Sequence, residues 1–426
     1  MTYDISRYDS VNVAFDKLVQ RINYSPQTQY IKVFESPGYV LKEDIVAKSD
    51  VPLHSTSHMD GFALKSCETV PASKSNPVEF KISTTISILG KSTSYILKNG
   101  EAYRIQTGGY LPSGADTIVP IENVNQINDN NISINNPCKK GQFIFEKGAD
   151  IKKEEIILKK GQTIRIQDAS YLANLNYCTV PVLRKPRIAI IPTGTELTDE
   201  IKENNDQNKV INTNSPIIAK IIDEIGGISI DYGVTPDEQD ILKCKIDASI
   251  KESDIVITIG GSSVGKQDIV VKTIDLIGDP GVIVHGVKLD RGRVSGLAVI
   301  NNKPIIILPG PIQGALNGFI VFVRPLIRLF LGRSQKNNFV IHAVITNNWS
   351  AREKFKNFTK ILYVRVSKES FGFKATPNIG ETQSISLLVK SNGYVILSEG
   401  KTNIKAGEIV EVNLIPGFSY IKDSSI

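Results

Sequence analysis

Asp254-Ile255-Val256-Ile257-Thr258-Ile259-Gly260-Gly261-Ser262-Ser263-Val264-Gly265-Lys266-Gln267-Asp268 decides the reading of this 426-residue chain. The apolar run 255–259 reads as a buried strand of a parallel sheet, covered on both faces. It ends in small residues and enters a helix. Upstream, Arg187-Ile188-Ala189-Ile190-Ile191-Pro192 is a second such run. Ser215-Pro216-Ile217 opens a helix that closes at Gly226-Gly227, with proline at the start and glycine past the end. Ile228 to Val234 reads as the next strand, and Pro236 begins a helix rich in Asp, Glu and Lys. Strand and helix in this alternation predict a doubly wound α/β domain over 185–334, with ligands outside the carboxyl ends of its strands.

The glycine-rich turn suits an anion. Small residues let backbone N–H groups approach a phosphate where the helix dipole also favours one. The spacing is neither that of a P-loop nor G-x-G-x-x-G. Taken alone, the turn also reads as a tight connection with Asp268 as a helix-start acid. Two more glycine turns follow predicted strands, Pro192-Thr193-Gly194-Thr195-Glu196-Leu197 and Leu308-Pro309-Gly310-Pro311-Ile312-Gln313-Gly314-Ala315. Three such turns in one α/β domain predict a single phosphate-binding crevice.

On either side the pattern changes. Short β-type runs separated by turn residues over 49–145 predict a small all-β module. The flanking segments 1–48 and 146–184 carry helical signals at Ser10–Val19 and Ile166–Leu175, so the module reads as an insertion into an elongated α+β domain. Strands at 339–345, 361–366 and 393–397 predict a terminal β barrel or sandwich over 335–426. The Asn-rich patches at 128–136 and 203–214 read as loops. Hydrophobic residues make up 41% and charged residues 22%, which excludes a mainly disordered chain. The net charge of +6 suits an anionic ligand, and no dense basic run with aromatics argues for nucleic acid. Cys67, Cys138, Cys178 and Cys244 form no metal-binding spacing and read as reduced, mostly buried thiols of a cytoplasmic protein. The N-terminus lacks a signal peptide's features. The apolar stretch Ile312–Leu331 contains Arg324, Pro325 and Arg328, so it reads as a buried helix rather than a membrane span.

Two further runs lie in the β module: Ser57-His58-Met59-Asp60-Gly61-Phe62-Ala63, and Gln106-Thr107-Gly108-Gly109 with Pro112-Ser113-Gly114-Ala115-Asp116. For Asp60 alone, an Asx turn before glycine is an equal reading. In order with the three glycine turns, these runs resemble the molybdopterin molybdenumtransferase family (MoeA and the E domain of gephyrin) over nearly the whole chain. The resemblance implies an elongated discontinuous domain with an inserted β module, a central MogA-like molybdopterin-binding domain and a C-terminal β barrel. It implies insertion of molybdate or tungstate into adenylylated molybdopterin, with Mg2+-dependent release of AMP. The substrate's dithiolene supplies the sulfur ligands, so no cysteine cluster is needed. The enzyme must hold a diphosphate, an oxyanion and a hard cation.

By the same resemblance, Asp60, Thr107, Glu196, Asp237 and Asp268 are catalytic positions, the last three also metal contacts. Gly108, Gly194, Gly260, Gly261, Ser262, Ser263, Gly265, Lys288, Arg291, Arg293, Pro309 and Gly310 are substrate-binding positions. A homodimer with an active site shared between subunits is implied, with the molybdopterin adenylyltransferase as a further candidate partner. Two departures stand out. The family's Pro-Gly-Lys-Pro turn appears as Asp290-Arg291-Gly292-Arg293-Val294, and its Leu-Pro-Gly-Asn-Pro as Leu308-Pro309-Gly310-Pro311-Ile312. They leave open a divergent, archaeal-type paralogue that only binds or carries the pterin. A pyrophosphate-cleaving hydrolase on the same α/β domain is the third reading.

Overall fold

The alternating apolar runs form a six-stranded sheet with strands β1 (Arg187–Pro192), β2 (Ile228–Asp231), β3 (Ile255–Ile259), β4 (Pro280–His285), β5 (Gly296–Ile300) and β6 (Lys303–Leu308). The structure is a computed structural model. It describes residues 8–85, 87, 89–91, 93–201, 209–261, 268–333 and 340–415. The strand order is β2-β1-β3-β6-β5-β4; β2, β1, β3 and β6 run parallel, and β5 and β4 add an antiparallel edge. Side chains alternate along β1, so Ile188 and Ile190 join one core while Ala189 and Ile191 join the other. Helix α1 (Asn214–Ile225) covers the first face through Ile218 and Ile222. Helices α2 (Gln239–Glu252) and α3 (Ile269–Ile277) cover the second through Leu242, Ile246, Val270 and Ile274. Both faces are therefore dry, as the uninterrupted apolar strands require.

Gly226 ends α1 at φ 102°, the left-handed conformation in which glycine bears no Cβ penalty. Helix α4 (Ile312–Phe330) is long and apolar enough to cross a membrane, yet 72% of that stretch is buried inside the fold. Its middle, Phe319–Val323, widens to π geometry directly before Pro325. Proline lacks the N–H of a regular ladder, and the wider turn absorbs that loss.

The chain divides into two compact units: Met1–Tyr30, Gly38–Val40 and Pro181–Ile426 in one, Ile31–Pro37 and Leu41–Val180 in the other. The first contains the α/β sheet and a closed barrel of β7 (Val340–Ile345), β8 (Lys360–Glu369), β9 (Gly372–Pro377), β10 (Gly393–Leu397) and β11 (Ile409–Leu414), in the order β7-β9-β8-β10-β11. It also contains the first helix, Val11–Val19, grouped by sequence with the elongated domain. Its apolar stripe of Val11, Ala14, Phe15 and Leu18 is buried in the core of the α/β sheet instead.

The second unit holds a six-stranded sheet in the order Thr117–Pro120, Gly61–Leu64, Glu101–Ile105, Val78–Ile82, Asn131–Ile134, Val124–Asn128. Beside it in the same unit are the helix Ile166–Asn174 and a small core of Ala47, Ile151 and Leu175. The cysteines are not buried as expected: Cys67, Cys178 and Cys244 are exposed and Cys138 is half-buried. Cys138 packs against the core of the inserted sheet, while Cys244 lies outside the buried stripe Leu242, Ile246, Ser249 and Ile250 of α2.

Candidate functional site

The three glycine turns meet. Gly260 leaves β3 at φ 93°, and a Cβ there would stand 2.3 Å from the Thr193 carbonyl oxygen. A Cβ on Gly261 would be 2.8 Å from Thr193 Cγ2, and one on Gly310 would be 3.7 Å from Gly260 Cα. The Gly260 and Gly261 approaches permit no side chain, whereas Gly310 stands at ordinary contact distance. The carboxyl ends of β1, β3 and β6 are tied by Thr193 N–H donating to Ile259 O (2.8 Å) and Gly260 N–H to Leu308 O (3.0 Å). Gly194, Gly260, Gly261, Pro309 and Gly310 thus share one rim. Ser262, Ser263 and Gly265 lie outside the described residues.

Two of the carboxylates sit on adjoining loops of this rim. Asp237 accepts from Thr193 Oγ1 (3.2 Å) and Thr195 N–H (3.4 Å), and its own N–H donates to Thr195 Oγ1 (3.1 Å). Glu196 follows Thr195 directly, and both carboxylates are exposed. Asp268 behaves differently. It is 4% exposed, and one carboxylate oxygen accepts from Val271 N–H (3.0 Å) to cap α3. The other oxygen is buried without a hydrogen bond, with His285 Nε2 at 3.2 Å.

One of the two Asp268 oxygens is thereby committed to the helix cap. Among the described residues no group of three or more His, Cys, Asp or Glu side chains stands close enough to hold a metal ion. Glu196 and Asp237 still fit Mg2+, which is commonly held by one or two carboxylates together with substrate phosphates.

Behind the Pro309–Pro311 turn opens a cavity of about 440 Å³ lined by Arg291, Arg293, Arg352, Lys354 and Thr382. Arg293 is exposed, and no partner for its guanidinium stands among the described residues. Arg291 is spent differently: its Nη1 donates to Gln313 Oε1 (2.6 Å) and to the Gly380 carbonyl. Burial, with the nearby Arg352 charge second, holds the Arg291 guanidinium below its ordinary pKa. Asp290 pairs with Arg352, whose guanidinium also lies 4.5 Å from the Phe355 ring. Lys288 is not part of this wall; its backbone N–H donates to Asp9 O and its carbonyl accepts from Thr359 N–H.

Sequence reasoning missed Arg352 and Lys354, which come from the chain just before β8 and carry no motif. It also read 203–214 as plain loop. Asn212 is buried and bonds Asp199 Oδ1 (2.9 Å) and Ser215 Oγ (3.1 Å), while Asn214 Nδ2 donates to Gly310 O (2.7 Å). Asparagines immediately before the Ser-Pro helix start were the available signal.

In the other unit, strand pairing sets Gly61 opposite Ile105 and brings the two predicted runs together. Asp60 Oδ1 accepts from Thr107 N–H (2.6 Å) and Thr107 Oγ1 (2.9 Å). The backbone donor, then the hydroxyl, hold the Asp60 carboxyl below the usual carboxylate range. Gly61 is forced: a Cβ there would stand 2.0 Å from the Val119 carbonyl oxygen. Gly108 turns at φ 77°, and its N–H donates to Ser57 O (2.8 Å).

Known proteins share this architecture. Family models match residues 9–176 as the MoeA N-terminal region (domain I and II), 189–329 as a "probable molybdopterin binding domain", and 346–415 as the MoeA C-terminal region (domain IV). A molybdopterin molybdenumtransferase of Bacillus subtilis (strain 168) is 30% identical over 410 residues, 95% of this chain and 94% of that protein. One from Staphylococcus aureus (strain COL) is 29% identical over 408 residues, 95% of each. The crystal structure of a molybdopterin biosynthesis moeA protein from Pyrococcus horikosii is similar at a TM-score of 0.82 and 27% identity, covering 96% of this chain and 99% of that one. With fold, motif order and full-length similarity in agreement, the chain belongs to the molybdopterin molybdenumtransferase (MoeA) family of transferases.

Proposed function

We propose that this protein inserts molybdate or tungstate into adenylylated molybdopterin and releases AMP during molybdenum cofactor biosynthesis. The observation that carries the reading is the contact of the Gly194, Gly260 and Gly310 turns beside a cavity rimmed by Arg293, Arg352 and Lys354. The Gly194 and Gly260 N–H groups are spent on Thr235 O and Leu308 O, so what these turns offer the diphosphate is close approach with no side chain in the way. The arginines and lysine suit a tetrahedral oxyanion. Glu196 and Asp237 offer oxygens to Mg2+, which when bound supplies charge neutralisation on the diphosphate. Asp268 then serves by fixing the start of α3 beneath the turn. Asp60 and Thr107 belong to the same reaction through a homodimer in which each site draws on both subunits. The cytoplasm, where the molybdopterin adenylyltransferase would supply the substrate, is the compartment proposed.

Incubation of the protein with adenylylated molybdopterin, Mg2+ and either oxyanion, with AMP read by mass spectrometry, tests this directly. Oxyanion-dependent AMP release, lost by at least a hundredfold in Asp237→Ala, is the expected result. Retention of the pterin without AMP release would leave a carrier. AMP release from free dinucleotides would leave a hydrolase.

A further inference from the structure

Arg291 is not glycine, yet it sits at φ 54° in the left-handed region. Such a backbone is strained for a residue with a side chain and persists only where neighbours hold it. The holders are two amides on one face of α4. Asn317 Nδ2 donates to the carbonyls of Asp290 (3.1 Å) and Arg291 (3.3 Å). Its oxygen accepts from Tyr363 O–H (3.1 Å), a fully buried phenol whose pKa is pushed far up by burial, so the amide is oriented from behind by a permanent donor. One turn earlier, Gln313 Oε1 accepts from the Arg291 guanidinium, while the Gln313 backbone N–H donates to Thr382 O (3.3 Å) on the cavity wall. Gly314 lies between them. A Cβ there would stand 2.8 Å from Pro309 Cγ and 3.2 Å from Arg291 O, so the loop rests directly on the helix.

Gln313 is 3% exposed and Asn317 1%. Burying two amides in the otherwise apolar first half of the helix, Ile312–Val323, is unfavourable unless their partners are worth holding. Both partners belong to the segment that carries Arg293 one residue beyond Gly292. We propose that Gln313 and Asn317 are positioning residues of the oxyanion cavity: they fix Arg291 as a strut between the α/β sheet and the Gly380–Thr382 wall, and so aim Arg293 into the cavity. The proposal rests on the oxyanion reading of that cavity given above.

Isothermal titration of the full-length protein with molybdate, and separately with AMP, tests it in wild type, Gln313→Leu, Asn317→Leu and Arg293→Ala. Each leucine variant should bind molybdate about tenfold more weakly, a loss of about 1.4 kcal/mol, and AMP within twofold of wild type. Arg293→Ala should lose molybdate at least as much. The split between the two ligands is what a merely structural role would not produce. Should Asn317→Leu fail to fold, Gln313→Leu decides alone. Wild-type molybdate affinity in Gln313→Leu with weakened binding in Arg293→Ala overturns the positioning role and leaves the cavity reading standing. Unchanged binding in Arg293→Ala overturns both. Parallel loss of molybdate and AMP with a lowered melting temperature reduces the two amides to packing.

Discussion

Asp60 illustrates how a single side chain can be structurally committed and chemically primed together. The largest cause of its lowered pKa is the Thr107 backbone N–H, with the hydroxyl second. Its folded pKa therefore lies below the unfolded value of about 3.9. The linked stabilisation is present above that value and is lost as pH falls through the folded pKa. A carboxylate that stays ionised at neutral pH is an acceptor, not a proton donor, which rules out a general-acid role for Asp60 there. We predict that Thr107→Ala raises the Asp60 pKa only part of the way, because the backbone donor remains; a carbon-detected NMR titration reads this. Full return to about 3.9 would mean that the hydroxyl, not the amide, orders the corner. The identity of both residues was legible from their runs, while their hydrogen bond was not, since it joins segments 47 positions apart.

Elements repeat the lesson with different physics. Helix α1 could be bounded from Pro216 and Gly226 because capping and φ preferences act within a few residues. The β5–β6 hairpin was also available locally and was overlooked. Asn301 and Asn302, at φ 50° and 67°, form the two-residue turn that pairs Ile300 with Lys303. Asp268 shows the opposite case, a residue whose two readings, helix-start acid and metal contact, could not be separated without the fold. The fold shows the helix-start role, in which one oxygen caps α3, and leaves the second oxygen without a hydrogen bond. Asp268→Asn keeps an N-cap and should change the unfolding free energy by less than about 0.5 kcal/mol, whereas Asp268→Ala should lose about 1 kcal/mol. Urea unfolding checks both. If the Asn variant also retains AMP release within threefold, the cap is the whole contribution of Asp268; a hundredfold loss would restore it as a direct contact.

At the scale of the whole molecule, Asp60 belongs to one compact unit and Asp237 to the other. The proposed shared site makes a prediction that a site within one chain does not. Asp60→Ala and Asp237→Ala homodimers should each be inactive, and subunit exchange between them should recover roughly a quarter of wild-type AMP release, since about half the dimers are mixed and each has one intact site. No recovery after verified exchange would place both residues in the same chain's site. The alternation of strands and helices through β1, β2 and β3 and the three glycine turns were legible in the sequence, because apolar periodicity and turn chemistry act over a few residues. The choice of barrel over sandwich and the antiparallel edge of β4 and β5 were not. Packing decided the rest. The first helix joined the α/β core, Asp268 turned inward, and Arg352 reached Asp290 from 62 positions away. Each of these depends on which surfaces are buried against one another, and burial is a property of the assembled chain rather than of any stretch within it.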